Sequence, residues 1–521
     1  MSKLCAACCA ALFLCLVFLP GQASAQDVTL TSLDGAVEIE GTLLGFDGEF
    51  YRLETVYGEI TIDASGVSCE GPGCPNLEAF VAEMRVSGSA TMGQVLMPAL
   101  VEAFALRNGM VATRTQEAPE RFSYVLRDRT TGAEKALFHF HNSTTNEGFA
   151  DLLADESDIV MSLREVRPSE VREAREAGLG DLTGPNRSRV LALDALVPIV
   201  SPKNPLGAIS PARLARIFGG EITNWLQLGG PDAPIVLHLP VAESGLAQSL
   251  QDKLMAPARQ DAAASVIRHE TSADLAQAVA DDVLGIGITS FSETGNAKPL
   301  VLSGRCGFQL RATRLAIKTE DYPLTAPMFL YLPARRLPKL ARDFLTFTRS
   351  DPAQIVIRRA GFVDQAPEEV PINDQGDRFA NAITVAGGET PLDELKRLVK
   401  VLGPRNRLST SFRFRAGSTR LDAQSLSNVQ QLARSLEAGK YDTRAVMFVG
   451  FSDGDGPAEG NRAIAAKRAA VVRDAVVNAA ETAHFDRVII GTEAFGEALP
   501  LACDDTAWGR QANRRVEVWV R

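Results

Sequence analysis

Strand-like and helix-like stretches alternate through the middle of the chain, and this pattern restricts the fold more than any other feature. Short apolar runs such as Val197-Pro-Ile-Val-Ser and Ile286-Gly-Ile-Thr are typical of buried strands. Longer amphipathic stretches lie between them, for example over residues 96–106 and 211–218. Because helices commonly connect parallel strands, the alternation predicts an α/β domain with a largely parallel sheet over residues 82–362.

The segment before this domain, residues 26–78, has a different periodicity. Apolar and polar side chains alternate in Val37-Glu38-Ile39-Glu40 and in Glu59-Ile60-Thr61-Ile62, and turns such as Asp47-Gly48 separate such runs. Alternation with period two indicates strands that are buried on one face, and glycine-containing turns join them into hairpins. We expect these hairpins to form a small SH3-like β-barrel without chemistry of its own.

The first 25 residues have the pattern of a secretory signal peptide. Lys3 precedes an apolar run over residues 4–19, and Ala23-Ser24-Ala25 offers a small-residue cleavage site. This run is shorter than the roughly 20 residues of a transmembrane helix, and we expect no transmembrane segment after cleavage. A lipid attached at Cys15 is the alternative, but Phe13-Leu14 stands where lipidation signals need small residues. The segment predicts export to the periplasm.

The chain is acidic, with a formal net charge of −10 at pH 7. It contains no dominant basic block, and the composition therefore argues against binding to nucleic acid or to anionic lipid.

Four of the eight cysteines lie outside the signal segment. Cys69 and Cys74 bracket Glu-Gly-Pro-Gly, a turn-forming insert that brings two sulfurs together, and they predict a local disulfide in an oxidising compartment. Zinc is the weaker alternative, because no second close Cys or His pair accompanies them. Cys306 and Cys503 are either free and buried or bridge two domains, and the sequence does not decide between these states.

After residue 362 the alternation stops. The stretch Asp364-Gln-Ala-Pro-Glu-Glu-Val-Pro contains proline and acidic residues, which predicts a linker over residues 363–405 with one helix over residues 392–402. Glu368 and Glu369 in this linker are expected to be solvated. Residues 406–521 then predict an α+β domain in the order β-α-β-α-β, with helices over residues 421–436 and 461–478.

Four segments of this last domain together form a specific pattern. They are Phe412-Arg-Phe-Arg-Ala-Gly-Ser-Thr-Arg-Leu-Asp422, Val449-Gly-Phe-Ser-Asp453-Gly, Lys467-Arg468-Ala-Ala-Val-Val and Gly509-Arg-Gln-Ala-Asn513-Arg514-Arg515-Val-Glu-Val. Together they resemble the OmpA-like peptidoglycan-binding family. In that family an Asp after a strand and an Arg fifteen positions later on the next helix flank a pocket for the diaminopimelate of the stem peptide. Asp453 and Arg468 have this spacing.

The chemistry of this pair fits such a ligand. The side-chain end of diaminopimelate is zwitterionic, so a site needs an anion for the ammonium group and a guanidinium that holds the carboxylate by two hydrogen bonds. Asp453 and Arg468 supply these groups, and we add Asn461 to the peptidoglycan site, with a helix N-cap as its alternative role. The alternative for the pair is an internal salt bridge on a solvated surface. Ser452 and Phe451 depart from the Thr and His that the family often has there.

Three loops of the central domain place small polar residues before helices. They occur at Val86-Ser-Gly-Ser89-Ala-Thr91-Met92, at Asn142-Ser-Thr144-Thr145-Asn-Glu-Gly and at Glu243-Ser244-Gly245. With Leu214-Ala-Arg-Ile-Phe-Gly-Gly-Glu-Ile-Thr-Asn-Trp225, they resemble the phosphate-type periplasmic substrate-binding proteins of ABC importers. The resemblance implies two α/β lobes with a ligand in the cleft between them. It also implies that an oxyanion is held by the following residues: Ser89, Thr91, Met92, Thr144, Thr145, Ser162, Ser244 and Gly245.

Two charged partners of that family are missing here. The phosphate-contacting Asp falls at Leu163, and the Arg that precedes the third loop falls near Pro240. Without them the groups that pair with a protonated phosphate are lost. Arg164, just after the second strand, is a candidate replacement for the positive charge.

The sequence gives little indication of a catalytic site. His139 and His141 lie on one face of a strand, but no nearby carboxylate or third histidine completes a metal site. No Gly-x-Ser-x-Gly elbow surrounds Ser87 or Ser89. We expect no catalytic residue, metal or cofactor.

These observations predict a non-enzymatic binding protein of the cell envelope. Its two-lobed domain binds a small anion such as phosphate, and its C-terminal domain binds peptidoglycan, which places it at the cell wall or the inner face of the outer membrane. The alternative is an envelope-integrity scaffold whose two-lobed domain binds protein or nothing. A hydrolase of envelope material is a third, weaker class.

Overall fold

The computed structural model describes residues 27–77, 79–184, 186–387, 390–415 and 417–521. The signal peptide predicted over residues 1–25 lies outside these ranges. The chain divides into two compact units between Phe80 and Val81. In the part that the structure describes, no helix is long and apolar enough to cross a membrane.

The first unit is a five-stranded antiparallel sheet in the order β4-β3-β2-β1-β5. Its small core contains Leu30, Tyr51 and Leu53. Among the described residues β4 and β5 do not pair, so the sheet is open and the predicted closure into a barrel is not confirmed. The disulfide predicted between Cys69 and Cys74 is present. The strands are β1 (Asp27–Ser32), β2 (Glu38–Phe46), β3 (Phe50–Thr55), β4 (Gly58–Asp63) and β5 (Val67–Glu70).

The second unit begins with an α/β lobe, called the first lobe. The long strand β11 leads from this lobe into the second lobe. In this lobe β6 pairs in parallel with both β9 and β10, whereas β7, β8 and β9 form an antiparallel meander. Its elements are β6 (Ala82–Ser89), α1 (Met97–Arg107), β7 (Met110–Ala118), β8 (Arg121–Asp128), β9 (Glu134–Ser143), α2 (Thr145–Leu153), β10 (Ile159–Ser162), α3 (Pro168–Glu176) and the long β11 (Ser188–Val200).

Residues 201–324 form a second lobe, in which β13 pairs in parallel with β14 and β15. The chain then returns to the first lobe through β19, which continues into two helices. The elements are β12 (Ala208–Ile209), α4 (Pro211–Phe218), β13 (Val236–Pro240), α5 (Gly245–Leu250), β14 (Ile267–His269), α6 (Ser272–Asp281), β15 (Gly285–Ser290), β16 (Lys298–Pro299), β17 (Val301–Ser303), β18 (Gln309–Leu310), α7 (Arg314–Lys318), β19 (Thr325–Tyr331), α8 (Lys339–Phe347) and α9 (Asp351–Arg359).

Strands β11 and β19 connect the two lobes. They pair with each other in antiparallel orientation, β19 also pairs with β10 of the first lobe, and β11 also pairs with β15 of the second lobe. The lobes therefore share one continuous mixed sheet, not the largely parallel sheet that the sequence predicts. Two strands that run between lobes form a natural hinge.

The C-terminal sheet has the order β20-β21-β24-β22-β23, with β22 and β23 parallel. The predicted order β-α-β-α-β omits a strand and a short helix, β23 and α14. Strand β23 is half-exposed at the sheet edge, so its residues lack a buried-strand pattern. The elements are β20 (Glu369–Val370), α10 (Gly376–Val385), α11 (Leu392–Leu402), β21 (Asn406–Arg413), α12 (Ala423–Glu437), β22 (Ala445–Phe451), α13 (Ala458–Ala479), β23 (Ile489–Gly496), α14 (Ala507–Asn513) and β24 (Arg515–Val520).

The predicted linker is packed against its neighbours. Strand β20 extends the C-terminal sheet, and Leu398 and Leu402 of α11 are buried in the same cluster as Trp519. Glu368 accepts hydrogen bonds from Lys318 at 2.6 Å and from Arg314 at 2.7 Å. Glu369 forms an ion pair with Arg444. The expectation that these two carboxylates are merely solvated is therefore wrong.

The C-terminal domain contacts both lobes. A disulfide joins Cys306 of the second lobe to Cys503, which settles the pairing that the sequence left open. The buried guanidinium of Arg407 binds both oxygens of Asp321, at 2.6 and 2.9 Å. On the first lobe, Glu165 accepts a hydrogen bond from the amide of Ala423 at 3.2 Å. These contacts fix the domain across the hinge.

Candidate functional site

The predicted peptidoglycan pocket lies where β22 ends and α13 begins. Gly450, near the end of the strand, packs so closely on the helix that an added Cβ would overlap the carbonyl oxygen of Ala465. This close approach needs glycine, and it holds the loop after β22 against the first half of α13. Asp453 lies in that loop, and Arg468 lies one turn after Ala465.

Asp453 and Arg468 are both buried, with exposed fractions of 8% and 7%. They do not pair within 4 Å among the described residues, so the alternative of a direct internal salt bridge is not what the structure contains. Instead, Asp453 lies 3.3 Å from Nη1 of Arg514. The guanidinium of Arg468 lies 5.2 Å from the centre of the Phe414 ring, and its buried Nε has no hydrogen-bond partner. Arg468 therefore retains hydrogen-bonding capacity for a ligand.

Electrostatics favour an added anion at this pocket. Burial lowers the pKa of Arg468, the nearby charge of Arg514 lowers it further, and Asp453 only partly offsets these effects. A ligand carboxylate would stabilise the charged guanidinium. Asp504 completes the rim: burial raises the pKa of this carboxyl group, which accepts hydrogen bonds from the amide of Gly454 and the side chain of Asn513, each at 2.7 Å.

The structure gives Asn461 a role other than that of helix N-cap. The N-cap of α13 is Pro457, and Asn461 is the fourth residue of the helix. Its side-chain amide donates to Glu497 at 2.9 Å and to the carbonyl oxygen of Gly456 at 3.3 Å. The capping role is therefore wrong, and Asn461 ties the loop after Asp453 to the end of β23.

Arg514 is the residue of this pocket that sequence reasoning undervalued. The sequence pattern alone assigns it no contact with the pocket, but it contacts Asp453 directly. Its neighbours do serve the fold: Asn513 holds the backbone of residues 501 and 502, and the wholly buried Arg515 pairs with Glu517. The basic pair after Asn513 was the only available signal.

In the central domain the structure brings the second and third predicted loops together. Thr144 and Ser244 are the N-caps of α2 and α5. Gly245 of the second lobe meets Thr145 and Leu163 of the first lobe, because a Cβ on it would lie 2.8 Å from Thr145 Oγ1 and 3.1 Å from Leu163 Cβ. The cleft is closed at this point.

The other predicted anion ligands are largely engaged with protein atoms. Thr145 Oγ1 accepts a hydrogen bond from the amide of Leu163, and the Ser162 hydroxyl donates to the carbonyl oxygen of Arg164 at 2.7 Å. Ser89 and Met92, at the end of β6 and the start of the following helical turn, are buried, and Thr91 lies between them in sequence.

Arg164 is not a free positive charge. Its side chain is 2% exposed and binds both carboxylate oxygens of Glu170, at 2.6 and 3.0 Å. The same guanidinium donates to Asn146 and to Gln248. This differs from the expectation that Arg164 replaces the missing charge, because the buried ion pair already satisfies it.

A cluster of Ser87, His141 and Asp151 lies beside the first loop. Nδ1 of His141 lies 2.8 Å from Asp151 Oδ2, and the hydroxyl of Ser87 donates to that same oxygen. In a nucleophilic triad the imidazole stands between the hydroxyl and the carboxylate, which is not the arrangement here. No group of three His, Cys, Asp or Glu side chains suited to a metal occurs in the described ranges.

The fold and these sites define a chain that joins a periplasmic-binding-protein domain to an OmpA-type domain. Residues 119–352 match the family model described as PBP superfamily domain, and residues 413–514 match the OmpA family. The chain therefore contains a domain of each family.

Individual relatives each match part of the chain. Protein SphX of Synechococcus elongatus is 28% identical over 266 residues, covering 47% of this chain and 76% of the relative. Phosphate-binding protein PstS of Borreliella burgdorferi is 26% identical over 186 residues, covering 34% of this chain and 65% of the relative. Probable lipoprotein YiaD of Escherichia coli is 35% identical over 79 residues, covering 15% of this chain and 34% of the relative.

Proposed function

We propose that this protein is a non-enzymatic binding protein of the periplasm that is held at peptidoglycan by its C-terminal domain. The observation that carries the proposal is the pocket in the OmpA-family domain, where Asp453 and Arg468 are buried and do not pair with each other. An anion and a guanidinium that face one ligand suit the zwitterionic end of diaminopimelate. Attachment places the chain at the cell wall or at the inner face of the outer membrane.

A murein pull-down tests this proposal. Full-length protein is mixed with insoluble murein sacculi, and the bound fraction is measured for wild type, Asp453→Ala and Arg468→Ala. Arg473→Ala is the matched control, because Arg473 lies on the same helix and pairs with its exposed neighbour Asp474. We expect wild type and the control to be retained and both pocket variants to bind at least about 10-fold more weakly. Equal retention of all four proteins would remove the pocket from the proposal.

For the two-lobed domain, the proposed ligand is a small anion such as phosphate. The support is its membership of the PBP superfamily and the name of the PstS relative. Calorimetry of the full chain with phosphate, sulfate, molybdate and small carboxylates tests it. We expect binding heat and a raised unfolding temperature with at least one of these anions. The absence of both effects for every anion would reject the proposal that this domain binds a small anion.

A scaffold is the second candidate for this domain. It is favoured by the ion pair between Arg164 and Glu170, by Leu163 in place of a carboxylate, and by the contact of Gly245 with Thr145. In that case the two-lobed domain binds protein or nothing, and the calorimetric screen gives no heat while murein retention persists.

A further inference from the structure

A cavity of about 470 Å³ lies where the two lobes and the C-terminal domain meet. The first lobe contributes Leu163 and Glu165, and the second lobe contributes Lys253 and Tyr322. The C-terminal domain closes the remaining side with Asp422, Trp508 and Arg514, so the cavity is complete only when that domain is docked. Its volume lies within the range of about 300–1,000 Å³ that is common for small-molecule sites.

Arg413 and Glu320 of the cavity wall form an ion pair, but Lys253, Glu165 and Asp422 do not pair with each other. Lys253 has no ion pair within 4 Å in the described chain. Glu165 uses one oxygen to accept from Ala423, and Asp422 uses one oxygen to accept from Ser425, whose amide it caps. Among the described residues, no hydrogen-bond donor reaches the second oxygen of Glu165.

The other arginines on the cavity wall are already engaged. Arg164 is paired with Glu170, and Arg514 is paired with Asp453. Arg413 donates to the carbonyl oxygens of Ala512 and Glu320. The ammonium group of Lys253 is therefore the cation of the wall that remains for an occupant.

We propose that this cavity is a binding site for a small zwitterion, an amino acid or a short peptide. Its ammonium group lies near Glu165 and Asp422, its carboxylate binds Lys253, and its side chain contacts the apolar wall that includes Tyr322 and Phe329. An inorganic oxyanion does not suit this site, because four carboxylates, those of Glu165, Asp252, Glu320 and Asp422, line it. The cavity shares Leu163 and Arg164 with the cleft and Arg514 with the Asp453 pocket, but neither Asp453 nor Arg468 lines it.

The pKa shifts of Glu165, Asp422 and Lys253 agree with charged groups that are buried without a close partner of opposite charge. Burial and the proximity of Asp422 raise the pKa of Glu165, and burial is the main cause that raises the pKa of Asp422. Burial lowers the pKa of Lys253. A bound zwitterion would supply the missing partner to each group.

Calorimetry of the full-length oxidised protein tests the proposal with L-alanyl-L-alanine and tri-L-alanine. The controls are N-acetyl-alanyl-alanine, which lacks the ammonium group, and alanyl-alanine amide, which lacks the carboxylate. We expect at least one of the two peptides to bind and each control to bind at least about 10-fold more weakly than that peptide, because a charged hydrogen bond is lost. No heat with either peptide, or equal affinity of a control, would overturn the proposal.

Three variants locate the binding. Lys253→Met and Glu165→Gln should each weaken the peptide at least about 10-fold, and Glu165→Gln keeps the oxygen that accepts from Ala423. Lys203→Met is the matched control, an exposed lysine of the same lobe outside the cavity. Arg468→Ala separates this site from the Asp453 pocket. This variant should no longer bind murein, but its affinity for the peptide should be unchanged. Unchanged affinity in Lys253→Met, with its unfolding temperature preserved, would refute the assignment.

Discussion

The disulfide between Cys306 and Cys503 gives the most quantitative prediction. The two cysteines are 197 positions apart, so the bond closes a long loop in the unfolded chain. The loop-closure relation gives about 5 kcal/mol for a loop of this length at 25 °C. The double substitution Cys306→Ser and Cys503→Ser should therefore destabilise the second unit by up to about 5 kcal/mol.

The second disulfide supplies the matched control. Cys69 and Cys74 are separated by 5 positions and lie in the first unit. The same relation gives about 2 kcal/mol for so short a loop, and the effect should be confined to that unit. Both double variants keep the other disulfide intact, which reduction with a thiol would not.

Urea unfolding followed by tryptophan fluorescence measures the difference. Trp225 reports on the second lobe, and Trp508 and Trp519 report on the C-terminal domain, whereas residues 27–80 contain no tryptophan. We expect a clearly lower urea midpoint for the Cys306 and Cys503 double variant and no change for the Cys69 and Cys74 double variant. A Cys306 and Cys503 variant that unfolds at the wild-type midpoint would refute the reasoning.

Two further predictions concern stability. Burial raises the pKa of Asp194 to about 6 from 3.8, so its contribution to stability is present at acidic pH and is lost as pH rises through about 6. The free energy of unfolding of wild type should therefore fall by about 2 kcal/mol between pH 4.5 and 7.5 because of this group, and Asp194→Asn should remove that fall. If the urea midpoints of the two proteins changed equally with pH, the prediction would be contradicted. Gly450→Ala should lower the unfolding temperature by several degrees, because its Cβ overlaps Ala465, at a cost of about 1–3 kcal/mol. Gly491→Ala on β23 has open space and is the control, and equal melting of the two variants would be the opposing result.

The sequence predicted features that depend on neighbouring residues. The helix expected over residues 392–402 has those bounds, and α12 and α13 lie within three residues of their expected ends. The Cys69 and Cys74 disulfide was accessible because one turn separates its cysteines. Each of these features needs only local spacing and periodicity, which the sequence displays directly.

Features that depend on distant partners were not accessible. The sequence predicts a solvated Glu368, because Lys318 and Arg314 lie more than 40 positions away and only folding brings them together. The ion pair between Arg514 and Asp453 and the disulfide of Cys306 depend on the docking of whole domains. Arg164 was predicted to be free for a ligand, because periodicity does not show that Glu170, in the first turn of the next helix, pairs with it.

The bond between Cys306 and Cys503 makes the intervening chain a covalent ring. Strand β19, the stretch over residues 363–405 and most of the C-terminal domain lie within that ring. A protease that cuts one peptide bond anywhere between the two cysteines therefore cannot release either half. A nicked molecule would keep its two lobes joined to the C-terminal domain until a reductant opened the ring.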